Sequence, residues 1–126
     1  MNAENTLLYA FRQYGDQVLR LAYCYTGNIQ DAETITETVI LMLREQSVPD
    51  GEEQRFLLHH TAAEGRALRR RSVLPELSAD CAAVLHLHDH EGMELDEIGA
   101  ILGESPQYLK NLLAEGREVL REEGSI

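Results

Sequence analysis

Apolar residues recur every three or four positions along most of the chain, the period of an α-helix with one buried face. Leu7, Phe11, Tyr14, Val18, Leu21 and Tyr25 make the first such stripe and predict an amphipathic helix over roughly Glu4 to Thr26, stopped by Gly27 and Asn28. Asn28 is placed to cap a second helix, with Asp31 and Glu33 in its first turn, where carboxylates favour the helix dipole. Its apolar face is Ile35, Val39, Met42 and Leu43, and it ends before the turn-forming SVPDG. Asp50 and Glu53 have capping-box spacing and open a third helix to about Arg71, with Phe56, Leu57, His60, Ala63, Ala67 and Leu68 as its buried stripe.

The second half repeats the pattern. Pro75 suits the first turn of a fourth helix, Glu76 to about His90, with Cys81, Val84, Leu85 and His88 facing inward and Gly92 closing it. A fifth helix is expected at Leu95 to Leu102, ended by Gly103; Ser105 then caps a sixth that begins at Pro106. No run alternates with the period of a strand. The expected fold is all-α, with two three-helix modules: 1–73 and 74–126.

The last two helices have the spacing of a helix-turn-helix. Gly99 is the small residue where the helices cross and Gly103 the left-handed residue of the turn, while Ile98 and Leu102 meet Leu109 and Leu112. Glu104 is the one poor fit, standing where an apolar residue normally plugs the turn. Gln107, Tyr108, Lys110 and Asn111 are free to face a groove; Gln and Asn suit adenine edges, and Lys suits a phosphate or guanine.

Charge tempers that reading. The net charge is −11. Residues 1–53 carry −6 and residues 74–126 carry −9, whereas residues 54–73 carry +4. A nucleic-acid binder gains affinity by releasing phosphate counterions, and only the middle segment offers the cations for it. Within that segment Arg66, Arg69, Arg70 and Arg71 form the single basic cluster, suited to a phosphate or to an acidic protein surface, including the acidic half of the same chain.

The remaining composition narrows the classes. Cys24 and Cys81 lie inside helical patterns and read as buried small apolar residues in a reducing compartment. The longest apolar run, Val39 to Leu43, is too short to span a bilayer, and MNAENTLLYA does not resemble a secretion signal, so a cytoplasmic protein is expected. His86 and His90 stand one helical turn apart beside Asp89, but two ligands from one helix do not complete a site, so no metal or cofactor is expected. No nucleophile, acid–base pair or phosphate loop argues for an enzyme.

The chain from Leu74 to Leu120, LPELSADCAAVLHLHDHEGMELDEIGAILGESPQYLKNLLAEGREVL, is similar to the carboxy-terminal module of bacterial sigma factors of the extracytoplasmic-function class. YGDQVLRLAYCYTGNIQDAETITETVILMLRE, with its Asp31-Ala32-Glu33 signature, resembles their amino-terminal module, and RFLLHHTAAEGRALRRR resembles the end of that module, where promoter DNA is opened. The resemblance implies a transcription regulator that binds core RNA polymerase and promoter DNA, with an anti-sigma factor or other protein as a further partner. It implies a polymerase-docking face at Asp31, Glu33, Glu37 and Ile40, and DNA contacts at the four arginines and at Ser105, Gln107, Tyr108, Lys110 and Asn111.

The departures from that pattern support an alternative. Thr34, Glu37-Thr38 and Ile40 replace docking residues, Phe56, Glu64 and Ala67 lie where promoter-opening groups are usual, and Tyr108, Asn111 and Leu112 replace recognition-helix residues. The alternative is a degenerate sigma-like module that binds a protein and no longer binds DNA. The five residues Arg71–Pro75 reach at most ~18 Å, against ~34 Å for one turn of DNA. The two modules are therefore expected to pack on each other.

Overall fold

The computed structural model describes residues 3–68 and 77–122, with side chains from Leu8 onward. The described residues form six α-helices and no strand: α1 (Ala3–Thr26), α2 (Ile29–Glu45), α3 (Glu53–Leu68), α4 (Ala79–Leu85), α5 (Leu95–Leu102) and α6 (Pro106–Glu122). A π-helical turn, His86–His90, extends α4.

Local chemistry sets most boundaries. Gly27 takes φ 62° and ends α1, and the Asn28 side chain accepts the Asp31 N–H to start α2. Ser78 caps α4 by accepting the Cys81 N–H, so the helix begins at Ala79 and not at Glu76. Pro75 and Glu76, the expected start, lie outside the described residues. Gly103, at φ 71° and ψ 35°, closes α5, the left-handed geometry that a Cβ disfavours. At α3 the expected Asp50–Glu53 box is replaced by a tighter arrangement in which the Glu53 carboxylate accepts the Gly51 N–H at 3.0 Å.

The buried face of α3 is rotated from the expected stripe. Leu57, Leu58, Thr61, Ala62 and Gly65 are buried. Phe56 and His60 are half-buried, and Ala63, Ala67 and Leu68 are exposed. The cause is Tyr25 on α1: a Cβ at residue 65 would stand 2.5 Å from the Tyr25 Cβ, so only glycine admits the tyrosine there. Seating Gly65 on Tyr25 turns Ala67 and Leu68 outward. Thr61 joins the core without an orphaned hydroxyl, because it donates to the Leu57 carbonyl at 2.6 Å.

One apolar core runs through both halves. Val18, Leu21, Val39 and Leu57 from the first three helices share it with Val84, Leu87, Ile98 and Leu109 from the later ones. Helix α1 packs on α2 and α3 and also touches α4, while α3 packs against α5. The expectation that the halves pack together agrees with this arrangement. Leu87, not His88, is the buried residue at the end of α4, because the π turn shifts the register by one.

Candidate functional site

Three surfaces gather the residues singled out in the sequence. The first is a groove of about 250 Å³ between α1 and α2, lined by Phe11, Gly15, Leu19, Glu33, Thr36 and Glu37. Phe11 is 58% exposed there, although its place in the α1 stripe suggested burial. Glu33 and Glu37 are exposed one turn apart, and Asp31 sits in the first turn of α2. Ile40 is 4% exposed and belongs to the core, so its side chain is not on this face. An apolar floor with a carboxylate rim suits an apolar partner segment carrying basic residues.

The second surface is the start of α6. Ser105 accepts the Tyr108 N–H at 3.2 Å, a capping bond that occupies its hydroxyl. Gln107 donates to the Asn111 side chain at 3.1 Å, which holds the two amides as an exposed pair. Lys110 is exposed beside them. Across the turn, a Cβ on Gly99 would stand 2.9 Å from the Glu104 carbonyl oxygen, a close approach that needs the missing side chain. Further along, Arg117 is paired with Asp89 at 2.7 Å and Arg121 with Glu118 at 2.7 Å.

The third surface is the seam between the halves, and Arg66 stands at its centre. Its Nε donates to Asp80 at 3.0 Å, one terminal nitrogen donates to the Leu102 carbonyl at 2.9 Å, and the other lies 3.4 Å from Glu104. Tyr25 donates to the same Asp80 oxygen at 2.7 Å. Burial, with the Asp80 charge beside it, pushes the Tyr25 hydroxyl far above its ordinary pKa, so it stays a donor. Nearby, His59 Nδ1 lies 2.9 Å from the Ile101 carbonyl; a carbonyl only accepts, so the ring proton is on Nδ1. Gln17 accepts from Gln54 at 2.7 Å and donates to Glu91 at 3.1 Å.

Of the basic cluster, then, Arg66 is held by the acidic half of the chain, and Arg69, Arg70 and Arg71 lie outside the described residues. Glu104 departs from the helix-turn-helix pattern because its carboxylate faces Arg66. That is a signal the sequence carried, since a charge in an apolar slot implies a partner. The roles of Tyr25 and Asp80 had no such flag.

The ordered motifs find a counterpart among curated proteins. The chain is 31% identical, over 88% of its own length, to a protein of Mycolicibacterium smegmatis (strain ATCC 700084 / mc(2)155) described as "ECF RNA polymerase sigma factor SigE". The chain is thus similar to an extracytoplasmic-function sigma factor over most of its own length. It spans 58% of that relative's length. No family model matches it. In the helical fold Glu33 and Glu37 are exposed, while Arg66 is turned toward Asp80 and Glu104. No helix among the described residues is long and apolar enough to cross a membrane.

Proposed function

We propose that the chain is a non-catalytic, cytoplasmic, sigma-factor-like transcription regulator made of two modules, 1–73 and 74–126. The first docks on core RNA polymerase through the α1–α2 groove and the carboxylates Asp31, Glu33 and Glu37. The second is a helix-turn-helix that presents Gln107, Tyr108, Lys110 and Asn111 to promoter DNA. The observation that carries the reading furthest is the α1–α2 groove, where Phe11 is exposed and Glu33 and Glu37 form the rim. At the seam, Arg66 is bonded to Asp80, Leu102 and Glu104, all from the half that carries −9. In this arrangement Arg66 is occupied by the second half, so a phosphate contact from Arg66 itself requires the seam to open.

Pull-down of core RNA polymerase with the full chain tests this. The wild-type chain should capture polymerase, and Glu33→Lys combined with Glu37→Lys should lose it. Failure of the wild-type chain to capture polymerase at moderate salt would remove the docking step. For DNA, Lys110→Glu should lower affinity about tenfold and flatten its salt dependence, as removal of one phosphate-directed cation does.

The second reading, a protein-binding module without DNA contact, is favoured by the same seam and by the two arginines of α6 that are already paired with carboxylates. It predicts that Lys110→Glu changes neither partner binding nor function. The Lys110→Glu measurement therefore separates the two readings.

A further inference from the structure

We propose that His86, His90 and Glu91 form a binding site for a transition-metal dication of the zinc class. The three residues each offer one ligand atom, and these atoms lie within 4.8 Å of one another. Two imidazoles and a carboxylate are a donor set that zinc takes readily, with a solvent molecule in the fourth position. This inference is independent of the transcription reading and touches none of its residues.

The geometry comes from the π turn. The Glu91 N–H bonds to the His86 carbonyl at 2.9 Å, five residues back rather than four. That widened turn brings residue 91 over residue 86, so Glu91 completes the triad. Asp89, the carboxylate that sequence spacing suggests, is turned away and held by Arg117 at 2.7 Å. The rings of His86 and His90 stack at 5.1 Å between centroids, 22° from parallel.

A second observation marks the position. His86 Nε2 and Glu91 Oε1 are shut off from solvent, and neither makes a hydrogen bond. They face each other at 3.3 Å, close enough for an ion pair but without hydrogen-bond geometry. Donor atoms around a tetrahedral zinc stand about 3.3 Å apart. A buried polar pair without a hydrogen bond is costly in protein alone, and a cation between the neutral ring and the carboxylate would satisfy both. An open cavity of about 390 Å³, lined by His86, His90, Asp89 and Leu120 among others, gives an entry path.

Arg20 is the competing cation, 3.6 Å from Glu91 Oε1 with its side chain 53% exposed. It swings into solvent as the metal enters. That competition separates a metal site from a plain ion-pair cluster, because the two assign Arg20 opposite effects on metal binding.

The test is titration of the chelator-treated, full-length chain with Zn²⁺ alone, followed by calorimetry, and with Co²⁺, followed by its d–d absorption. One equivalent should bind, with tetrahedral Co²⁺ bands. His90→Ala, at an exposed position that leaves the core intact, should weaken binding on the order of tenfold or more, since it leaves two ligands. Glu91→Gln should do the same, and Arg20→Ala should tighten binding. Absence of a stoichiometric site overturns the proposal. So does binding that is unchanged by His90→Ala and Glu91→Gln, which would place the metal elsewhere, for example at His59 and His60.

Discussion

Tyr25 rests on the backbone of Gly65 and donates to Asp80, so one side chain joins α1, α3 and α4. Gly65→Ala would put a Cβ 2.5 Å from the Tyr25 Cβ, an atom too close to its own backbone to move aside. We expect it to cost about 1–3 kcal/mol despite the better helix propensity of alanine. Gly116→Ala meets the flexible Leu85 Cδ1 at 2.5 Å and the Cys81 Sγ at 3.0 Å. The leucine end can rotate, and alanine gains about 1 kcal/mol of helix propensity, so this change should cost less. Urea denaturation of both variants, ranked side by side, checks the order.

The cysteines give a second residue-scale expectation. Burial pushes both Cys24 and Cys81 up to about 11, and Cys81 also donates to the Leu112 carbonyl at 3.1 Å. Because the thiolate is the reactive form, both should resist iodoacetamide at pH 8 while the chain is folded and react quickly in denaturant. Rapid native labelling of Cys81 would contradict the packing of α4 against α6, and of Cys24 its burial on α1. His60 supplies the pH expectation. Burial, then the neighbouring His59, lower its pKa, with Glu64 opposing. The unfolded chain therefore takes the proton first, and this contribution to stability is present above the ordinary histidine pKa of about 6.5 and lost as pH falls below it. His60→Gln should reduce the drop in urea midpoint between pH 7.5 and 5.5, by a small amount because the ring is only half-buried.

At the scale of elements, the caps and breakers were legible in the sequence because their chemistry is local. Asn28, Gly27, Gly103 and Ser105 act on neighbours within four residues, and each was identifiable from type and position. The face of α3 was not legible, since its stripe admits two rotations and the choice depends on Tyr25, forty residues upstream of Gly65. The π turn escaped too, because HLHDH reads as an ordinary helix end until Glu91 bonds to His86 and Met93 to Leu87. The α5–α6 pair has its own test: Gly99→Val should disrupt the close approach to the Glu104 carbonyl at 2.9 Å and lower stability by about 2 kcal/mol or more. Thermal denaturation followed by circular dichroism measures it.

For the whole molecule, the decisive question is how firmly the seam holds. Arg66 and Asp80 are partly exposed, with side-chain accessibilities of 34% and 22%, so their pairing is worth more than a surface ion pair and less than a buried one. Hydrogen bonds to charged groups contribute about 1.5–3 kcal/mol each when formed well. Removing the acceptor's charge from two of them with Asp80→Asn and Glu104→Gln should shift the closed-to-open balance by about tenfold, since 1.4 kcal/mol is a factor of ten. Small-angle scattering should then report a larger radius of gyration, and DNA affinity should rise if Arg66 is released to phosphate. An unchanged radius would mean that the apolar core, not the polar seam, keeps the halves together.

Amino-acid order alone determined the helical class, the positions of most helix ends and the uneven charge, because each follows from residue type and short-range spacing, and its motifs carried the resemblance to sigma factors. It also raised the question of what the basic cluster faces, without being able to answer it. Only the folded chain decided that Arg66 meets Asp80 and Glu104, that Ile40 is core while Glu33 and Glu37 are rim, and that His86 finds Glu91. Those pairings join residues brought together by packing or by one irregular turn, and no local periodicity encodes a contact that depends on how two helices rotate against each other.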